Sequence, residues 1–267
     1  MEKGKNTVSV AMAVYNGEQY ICEQIESILP QLRSYDELVI SYDRSTDCTL
    51  KIIKEYAQQD LRIKIYQNAQ QGVVKNFQNA VSKCIGDIIF FSDQDDIWLE
   101  GKIERVRKAF DDEKVTAVIH DTKTIDNRKN VVCKSTFDAR WGNTSVIRNL
   151  IRLSYIGCAM AFRKEMIPII LPFPTKERSH DWWTGTMCGI FGKIAIINEV
   201  YILHRFHEEN VTPKKRPGLK YQLSIRWIII TNAIKRCIHY RKILKIVNSG
   251  TPLVRLSSKI FFPGDND

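Results

Sequence analysis

Short apolar runs alternate with amphipathic stretches through the first hundred residues of the chain. Four apolar runs of strand length occupy residues 8–14, 38–41, 63–67 and 88–92. Three intervening stretches repeat apolar residues at the spacing of one helix face, and these are residues 18–32, 50–58 and 72–84. Strands that alternate with helices in this way predict an α/β fold with a mostly parallel central sheet.

The pattern is less regular after this repeat and changes character near residue 213. Further strands are predicted at 115–120 and 195–205, a mixed stretch at 148–162, and a loop in the proline-rich segment 168–174. Residues 214–218 have the composition of a linker, and 219–247 predict one or two basic amphipathic helices. We therefore expect a globular domain over 1–212 and a basic helical C-terminal extension over 213–267.

Charge is distributed unevenly between these two parts. The chain has a net charge of +10, yet residues 214–267 alone hold 12 Lys and Arg against 2 Asp. The remainder is therefore electrically neutral. A neutral body with a cationic end predicts that the end contacts an anionic surface. No recognised nucleic-acid-binding motif accompanies the charge, so a nucleic-acid partner is not expected.

The spacing of the cysteines and the length of the hydrophobic runs predict the cellular compartment of the protein. The seven cysteines are scattered and form no CxxC pair, which argues against a disulfide framework or a structural zinc site. The N-terminal apolar run is too short for a signal peptide, and no run of about 18 apolar residues is present. The prediction is a cytoplasmic protein with reduced thiols.

Polar residues follow several predicted strands, and the strongest group is the acidic cluster Asp93, Asp95 and Asp96 directly after the fourth strand. Ligands of open α/β sheets bind at the carboxyl ends of the strands. Carboxylates this close raise one another's pKa unless a cation joins them, and an Asp-x-Asp pair suits Mg²⁺ or Mn²⁺. The alternative interpretation is a solvated acidic loop, but the position of the cluster at the end of a strand favours a metal site.

The order of several motifs resembles one known family. The blocks are VSVAMAVYNG at 8–17, DRSTD at 43–47, SDQDDIW at 92–98, SHDWW at 179–183 and HRFHEENVT at 204–212. Together they are similar to the family 2 glycosyltransferases, and most similar to the rhamnosyltransferase-like enzymes of O-antigen and capsule assembly. This resemblance implies the GT-A fold and transfer of a sugar, with inversion, from a nucleotide-diphosphate donor.

The resemblance also implies roles for particular residues, each still a prediction. Asp181 would be the general base. Asp95 and His207 would lie at the metal that bridges the donor diphosphate. Contacts with the donor nucleotide would come from Asn16, Asp43, Lys75, Asp93, Asp96 and Arg205. Without the resemblance, Asp181 would be interpreted as a helix cap and His207 as a surface histidine.

Three further residues are assigned to the acceptor side by the same resemblance, namely Gly157, Trp182 and Trp183. Flat aromatic rings suit stacking under a sugar, whereas ordinary core packing is the alternative for all three. The chain also departs from the family pattern, because Tyr42 and Arg44 stand where the family usually has Asp and Gly, and His204 where it usually has Tyr. These departures leave the identity of the donor sugar open between rhamnose and a hexose.

Partners follow from the resemblance and the charge together. We expect a dTDP- or UDP-sugar donor and a glycan acceptor, lipid-linked, in bacterial surface polysaccharide synthesis. The basic extension is expected to bind the anionic inner face of the plasma membrane, or else to cap the catalytic domain. Two rival functions remain, a sugar-nucleotide pyrophosphorylase and a non-catalytic glycan-binding or scaffolding subunit. The first lacks its Gly-rich phosphate loop here, and the second has no need of Asp95 and Asp181.

Overall fold

A computed structural model describes residues 6–140, 142, 144–151, 155–174, 180–207 and 218–248. Nine strands form one sheet: β1 Val8–Val14, β2 Glu37–Tyr42, β3 Ile63–Gln67, β4 Ile88–Ser92, β5 Ile97–Trp98, β6 Val115–Ile125, β7 Val131–Cys133, β8 Met160–Arg163 and β9 Lys193–Arg205. The strand order is β3-β2-β1-β4-β8-β6-β9-β5, with β7 paired to β6. The predicted α/β class is confirmed.

Helices cover both faces of this sheet. They are α1 Ile21–Ile28, α2 Thr49–Gln59, α3 Val73–Lys83, α4 Lys102–Ala109, α5 Thr136–Arg140, α6 Val146–Ile151, α7 Ile167–Ile170, α8 His180–Phe191 and α9 Leu219–Asn248. Successive strand residues point to opposite faces, so Val10 and Met12 pack towards α1 while Ala11 packs towards α3. The result is a sheet between two helical layers, each with its own apolar core.

The direction of strand pairing divides the sheet in two. Strands β3, β2, β1 and β4 pair parallel, as the alternating pattern predicts. Strand β8 is antiparallel to both β4 and β6, and β5 is antiparallel to β9. The carboxyl ends of β1, β2 and β4 therefore lie at one edge, and the antiparallel strands bring the later half of the chain beside it.

One sequence prediction needs correction at the level of elements. The segment 168–174 is not wholly a loop, because α7 includes Pro168 in its first turn, where proline is tolerated. Of the two alternatives predicted for residues 219–247, the structure has the single helix. The predicted domain boundary at 212 and 213 lies outside the described residues, as do the last residues of the HRFHEENVT block. None of the seven cysteines forms a disulfide within the described residues.

Helix α9 packs against the globular body through one of its faces. Ile225, Ile229 and Ala233 are buried in the same apolar cluster as Trp183 of α8. Arg236 donates hydrogen bonds to the carbonyls of α7 and its following loop, at Ile169, Leu171 and Pro172. Among the described helices, none has the length and apolarity needed to cross a lipid bilayer.

Candidate active site

The acidic segment after β4 is clamped to the loop after β1. The Tyr15 backbone N–H donates to Gln94 Oε1, and Gln94 Nε2 donates back to the Tyr15 carbonyl, both at 2.8 Å. A Cβ on Gly17 would lie 2.5 Å from Gln94 Oε1, so the glycine leaves room for this bridge. The glutamine of the SDQDDIW block thus fixes the relative position of two strand ends.

A second side-chain amide, on helix α1, supports the same segment. Gln24 of α1 is fully buried, and its Nε2 donates to Ser92 Oγ at 2.8 Å and to the Asp93 carbonyl at 3.0 Å. Burial, then the charges of Asp96 and Asp95, raise the pKa of the Asp93 carboxyl well above its usual range, and the charge of Asp181 adds to the effect. The predicted base therefore lies within electrostatic reach of the acidic cluster.

Asp95 and His207 meet directly. The distance between Asp95 Oδ2 and His207 Nε2 is 2.8 Å, and both side chains are largely buried. The His207 ring lies 4.9 Å from the Tyr20 ring, centroid to centroid. The fold thus brings together, across 112 residues of sequence, the two groups assigned to a metal site. A carboxylate and an imidazole are both suitable ligands for Mn²⁺.

Arg205 lies behind this pair and is 2% exposed. Its Nε donates to the Asp95 carbonyl at 2.9 Å, its Nη2 donates to Glu23 Oε2 at 2.6 Å, and its guanidinium lies over the Tyr20 ring. These contacts fix Asp95 against α1. The structure places Arg205 as a support for Asp95, and its predicted contact with the leaving group stays a prediction.

Asp96 is held inside the protein. Its side chain has no exposed surface, and Asp96 Oδ1 accepts from the Arg205 N–H at 2.9 Å and lies 3.0 Å from His204 Nδ1. Burial works against a charged imidazole, but the charge of Asp96 raises the His204 pKa to about 9. The structure places Asp96 in an enclosed pair with β9, and its predicted contact with the donor stays a prediction.

A buried lysine, missed by the sequence reasoning, lies next to this pair. Lys102 Nζ donates to the Cys158 carbonyl at 2.8 Å and lies 3.7 Å from the centre of the Trp98 ring. Burial lowers the Lys102 pKa to about 7. Ligand atoms of Asp96, Cys158 and His204 lie within 4.8 Å of one another. We interpret them as a structural cluster, since the Asp96 carboxylate already pairs with His204 and a basic amine adjoins it.

The residues assigned to the nucleotide lie at the ends of β1 and β2. Asp43 is buried, and its two oxygens accept from Asn68 Nδ2 at 2.7 Å and from the Gly72 N–H at 2.9 Å. Asn16 has a left-handed backbone with φ of 46°, and its Oδ1 accepts from the Thr46 N–H at 2.9 Å. Both residues thus fix loops at the site. Direct contact of either with a nucleotide stays a prediction.

A cavity of about 620 Å³ opens beside Asp43, and its lining residues are Arg44, Gln67, Asn68, Ala69 and Gln71. It lies beyond the carboxyl ends of β2 and β3, where a ligand of this fold class is expected. Lys75 is half-buried on the nearby helix α3, and within the described residues it makes no ion pair. Its predicted contact with a base or phosphate stays untested.

The acceptor side centres on the start of α8. Asp181 is in its first turn and Asp181 Oδ1 accepts from the Trp182 N–H at 2.7 Å. A Cβ on Gly157 would lie 3.5 Å from the Asp181 Cβ and 3.1 Å from His180 Nε2. The His180 ring stacks on Phe77 at 4.1 Å, and burial lowers its pKa to about 3. Gly157 and Asp181 are therefore neighbours, as expected if Gly157 lies on the acceptor side next to the general base.

The two tryptophans belong to the core. Trp183 has no exposed surface, and its indole N–H donates to the Ile170 carbonyl at 2.7 Å. The acceptor-side assignment of Trp183 is wrong, because an enclosed ring has no face to offer a sugar. Trp182 is 7% exposed and packs in the same cluster, with the Arg226 guanidinium 5.8 Å from its ring centre. Both rings are packed in the core, which was the alternative interpretation of these residues.

With this geometry established, the sequence can be compared with known proteins. The sequence model of glycosyl transferase family 2 matches residues 9–168, more than half of the chain. The chain belongs to glycosyl transferase family 2. Its membership confirms the resemblance carried by the motif blocks. It also contradicts the pyrophosphorylase alternative.

Two relatives of this family 2 member illustrate its range. An uncharacterized glycosyltransferase of Nostoc sp., alr2836, is 27% identical over 213 residues, which are 76% of this chain and 66% of that protein. The chain thus spans about two thirds of the length of alr2836. An Escherichia coli protein, UDP-Glc:alpha-D-GlcNAc-diphosphoundecaprenol beta-1,3-glucosyltransferase WfgD, is 26% identical over 234 residues, 86% of this chain and 88% of WfgD.

Two solved structures share the fold. S. aureus TarS 1–349 in complex with UDP-GlcNAc has a TM-score of 0.68 at 18% identity, covering 86% of this chain and 69% of that one. The mannosyltransferase PcManGT from Pyrobaculum calidifontis, in complex with GDP-Man and Mn²⁺, has a TM-score of 0.61 at 19% identity, covering 87% of this chain and 65% of that one. These likenesses confirm the predicted GT-A fold.

Proposed function

We propose that this family 2 member is an inverting, metal-dependent glycosyltransferase that moves rhamnose or a hexose from a dTDP- or UDP-sugar to a glycan acceptor. The observation that carries the proposal is the convergence of Asp93, Asp95, His207 and Asp181 at one edge of the sheet. Acidic groups around one point suit a reaction that needs both a cation and a base.

The residues present fit a divalent cation. Asp95 and His207 direct a carboxylate oxygen and a ring nitrogen at one another, and Asp93 adds a crowded carboxylate nearby. Such crowding is relieved when a cation is shared. When bound, Mn²⁺ or Mg²⁺ would offset the negative charge of the donor diphosphate. The structural neighbour PcManGT is in complex with Mn²⁺ as well as GDP-Man, which supports this assignment.

The protein's own groups would act in the following way. Asp181 would take the proton from the acceptor hydroxyl, since an alcohol is a weak nucleophile until it is deprotonated. The freed oxygen would attack the anomeric carbon, and the bond to the nucleotide diphosphate would break on the opposite face, inverting that centre. Glu23 and Arg205 would keep Asp95 in place while charge develops on the leaving group.

The acceptor class is proposed from the relatives. The name of WfgD describes a diphosphoundecaprenol-linked acceptor, and 88% of that protein is covered by this chain. Relatives with teichoic and teichuronic acid roles, GgaB and TuaG of Bacillus subtilis, match over shorter stretches. On this basis the acceptor is a lipid-linked glycan in bacterial surface polysaccharide synthesis.

The test is a screen of uridine- and thymidine-diphosphate sugars with Mn²⁺, Mg²⁺ or EDTA, measuring donor binding and hydrolysis. Metal-dependent turnover of one donor is expected, and Asp95→Ala should lose both binding and turnover. Asp181→Asn should keep donor binding and lose transfer by about a thousandfold. Glycan binding without any nucleotide, unaffected by Asp181→Asn, would instead support the non-catalytic subunit.

We further propose that α9 attaches the enzyme to the inner face of the plasma membrane. One face of this helix is packed, yet Leu223, Trp227, Ile234 and Ile238 are exposed, Trp227 to 69%. Each cation near an anionic leaflet contributes about 1 kcal/mol, and Lys220 and Lys235 on the same helix are exposed. The membrane-surface and capping interpretations of the sequence are therefore compatible, because one face of α9 packs against the globular body and another face is left to contact the membrane.

Helix α6 extends this exposed apolar surface. Ile147 and Ile151 are about 70% exposed, and Arg226 of α9 donates to the Leu150 and Ile151 carbonyls at 2.7 and 2.8 Å. Those bonds hold the end of α6 beside α9. Two adjoining helices with exposed isoleucine, leucine and tryptophan suit insertion at the boundary between headgroups and acyl chains.

Vesicle sedimentation tests this attachment. Leu223→Ser with Trp227→Ser should weaken binding to phosphatidylglycerol vesicles about tenfold or more, without lowering the melting temperature. The matched control is Ile229→Ala on the packed face, which should lower the melting temperature and leave vesicle binding by folded protein unchanged. Truncation after Thr212 is a poorer test, because it would also remove Ile229 from the core. Unchanged vesicle binding by the double variant would contradict the proposal.

A further inference from the structure

The cavity beside Asp43 has one charged side chain in its lining. Arg44, Gln67, Asn68, Ala69 and Gln71 surround about 620 Å³ at the ends of β2 and β3. This volume is ample for a nucleobase. The lining offers amide groups and one guanidinium, a composition suited to a planar ligand with hydrogen-bonding edges.

The amide of Asn68 is already committed within the protein. Asn68 Nδ2 donates to Asp43 Oδ1 at 2.7 Å and to the Gln70 carbonyl at 2.5 Å. Asn68 Oδ1 accepts from the Gln70 N–H at 3.4 Å. Arg44 differs, because it is exposed and makes no hydrogen bond or ion pair within the described part of the chain. Its donors are the ones left for a ligand.

The loop that carries Arg44 is fixed rather than loose. The Thr46 N–H donates to Asn16 Oδ1 at 2.9 Å, and the Cys48 N–H donates to Glu18 Oε2 at 2.8 Å. The Gly17 N–H donates to Thr49 Oγ1 at 2.7 Å. These bonds tie residues 43–49 to the loop after β1, so the Arg44 backbone is held at the rim of the cavity.

Arg44 stands where the family usually has glycine, and the backbone does not require a glycine here. The non-glycine residues with positive φ among those described are Asn6, Asn16 and Lys129, so Arg44 is in an ordinary conformation. The side chain is therefore accommodated without backbone strain. Its presence changes the chemistry of the cavity rather than the shape of the turn.

Resting on the proposed function and on the expected contact of Asp43 with the donor nucleotide, we propose that Arg44, at the rim of this cavity, is a specificity-determining residue that reads the carbonyl oxygens of the donor's base. A guanidinium only donates hydrogen bonds. It favours uracil or thymine, with two carbonyl oxygens, over adenine, whose exocyclic group is a donor. Cytosine, with one carbonyl and one amino group, falls between them.

The experiment measures affinity for UDP, CDP, ADP, uridine and pyrophosphate by calorimetry in the presence of Mn²⁺. The variants are Arg44→Gly, which restores the family residue, and Arg44→Gln, which removes the charge but keeps a side chain. The matched control is Lys54→Gln, which removes one exposed cation from α2 outside the cavity lining. Equal melting temperatures across the variants would establish that each is folded.

Both Arg44 variants should bind UDP and uridine about tenfold more weakly, with little change for ADP or pyrophosphate. Lys54→Gln should match the parent. UDP affinity within twofold of the parent, or an equal loss for pyrophosphate, would overturn base reading by Arg44 while leaving the transferase proposal intact. A parent protein that binds no nucleoside diphosphate would overturn both proposals.

Discussion

The donor edge and the acceptor side of the site are built by different physical means. At the donor edge, Gln24, His204 and Arg205 bind the acidic segment after β4 through buried or partly buried hydrogen bonds, and Gln94 of that segment binds the loop after β1. At the acceptor side, Asp181 starts a helix that packs through aromatic rings, and His180 has no hydrogen-bond partner at either ring nitrogen among the described residues.

The difference follows from what each side would have to do. Groups that face developing charge are most effective when they are oriented beforehand, which a network of hydrogen bonds achieves. A side that admits a sugar hydroxyl needs space and one base, and the absence of a side chain at Gly157 leaves space next to Asp181. Disturbing the donor edge should therefore affect stability and donor binding together, whereas disturbing the acceptor side should affect transfer.

The largest effect is expected from Arg205→Met. This change removes the Arg205 donors to the Asp95 carbonyl and to Glu23, which keeps Lys129 as an ion-pair partner, and hydrogen bonds of a charged group contribute about 1.5–3 kcal/mol each. Urea unfolding should show that loss, and calorimetry should show weaker donor binding. Lys193→Met, which removes the exposed pair with Asp112, is the control and should leave stability almost unchanged, because solvent screens this pair. Similar costs for both variants would contradict a special role for the donor-edge network.

The next effect concerns the pH dependence of stability through His204. Its pKa of about 9 in the folded chain exceeds the ordinary value near 6.5, because Asp96 outweighs burial. The stabilisation is therefore fully present below about pH 6.5 and is lost as the pH rises through 9. Lys102, with its pKa lowered to about 7, acts in the opposite direction, since it favours the folded state as pH rises towards 10.5.

These opposed contributions make His204→Asn informative. Between pH 6 and pH 9.5 the unfolding free energy of the variant should rise relative to that of the parent by about 2–3 kcal/mol, because the variant lacks the group whose stabilisation is lost over this range. Urea unfolding at four pH values measures both curves. The control is Lys102→Met, for which the curve should fall with pH. Parallel curves for parent and His204→Asn would show that the imidazole is not charged in the folded protein.

Much of the nucleotide-binding half could be predicted from the sequence. The predicted limits of β1, β3 and β4 agree with the structure, because each strand is a short segment rich in apolar or β-branched residues and bounded by turn residues. Asp95 and His207 were paired only through the family resemblance, and the structure brings them within 2.8 Å. The local sequence pattern predicts the helices and strands, whereas the site depends on contacts between segments that are distant in the sequence.

The features that the sequence did not predict also depend on contacts between distant segments. The enclosure of Asp96 depends on His204, 108 residues away, and no local signal marks that pair. No local pattern marks Lys102 as buried, yet it is fully enclosed and bonded to the Cys158 carbonyl. Helix α9 is apolar on more than one side, so periodicity alone did not tell the packed Ile229 from the exposed Trp227.

The smallest expected effect sharpens the comparison from the acceptor side. In Gly157→Val, the new side chain meets His180 Nε2 and Asp181 Cβ at 3.1 and 3.5 Å from its Cβ, so the start of α8 must shift. Overpacking costs about 1–3 kcal/mol, and a displaced base lowers transfer by about ten- to a hundredfold. Donor affinity should stay unchanged, since the donor edge is held by its own network. Gly218→Ala, with open space around its Cβ, is the control. Equal losses of donor binding and transfer in Gly157→Val would mean that the two sides are coupled, and that the acidic segment and α8 move as one unit.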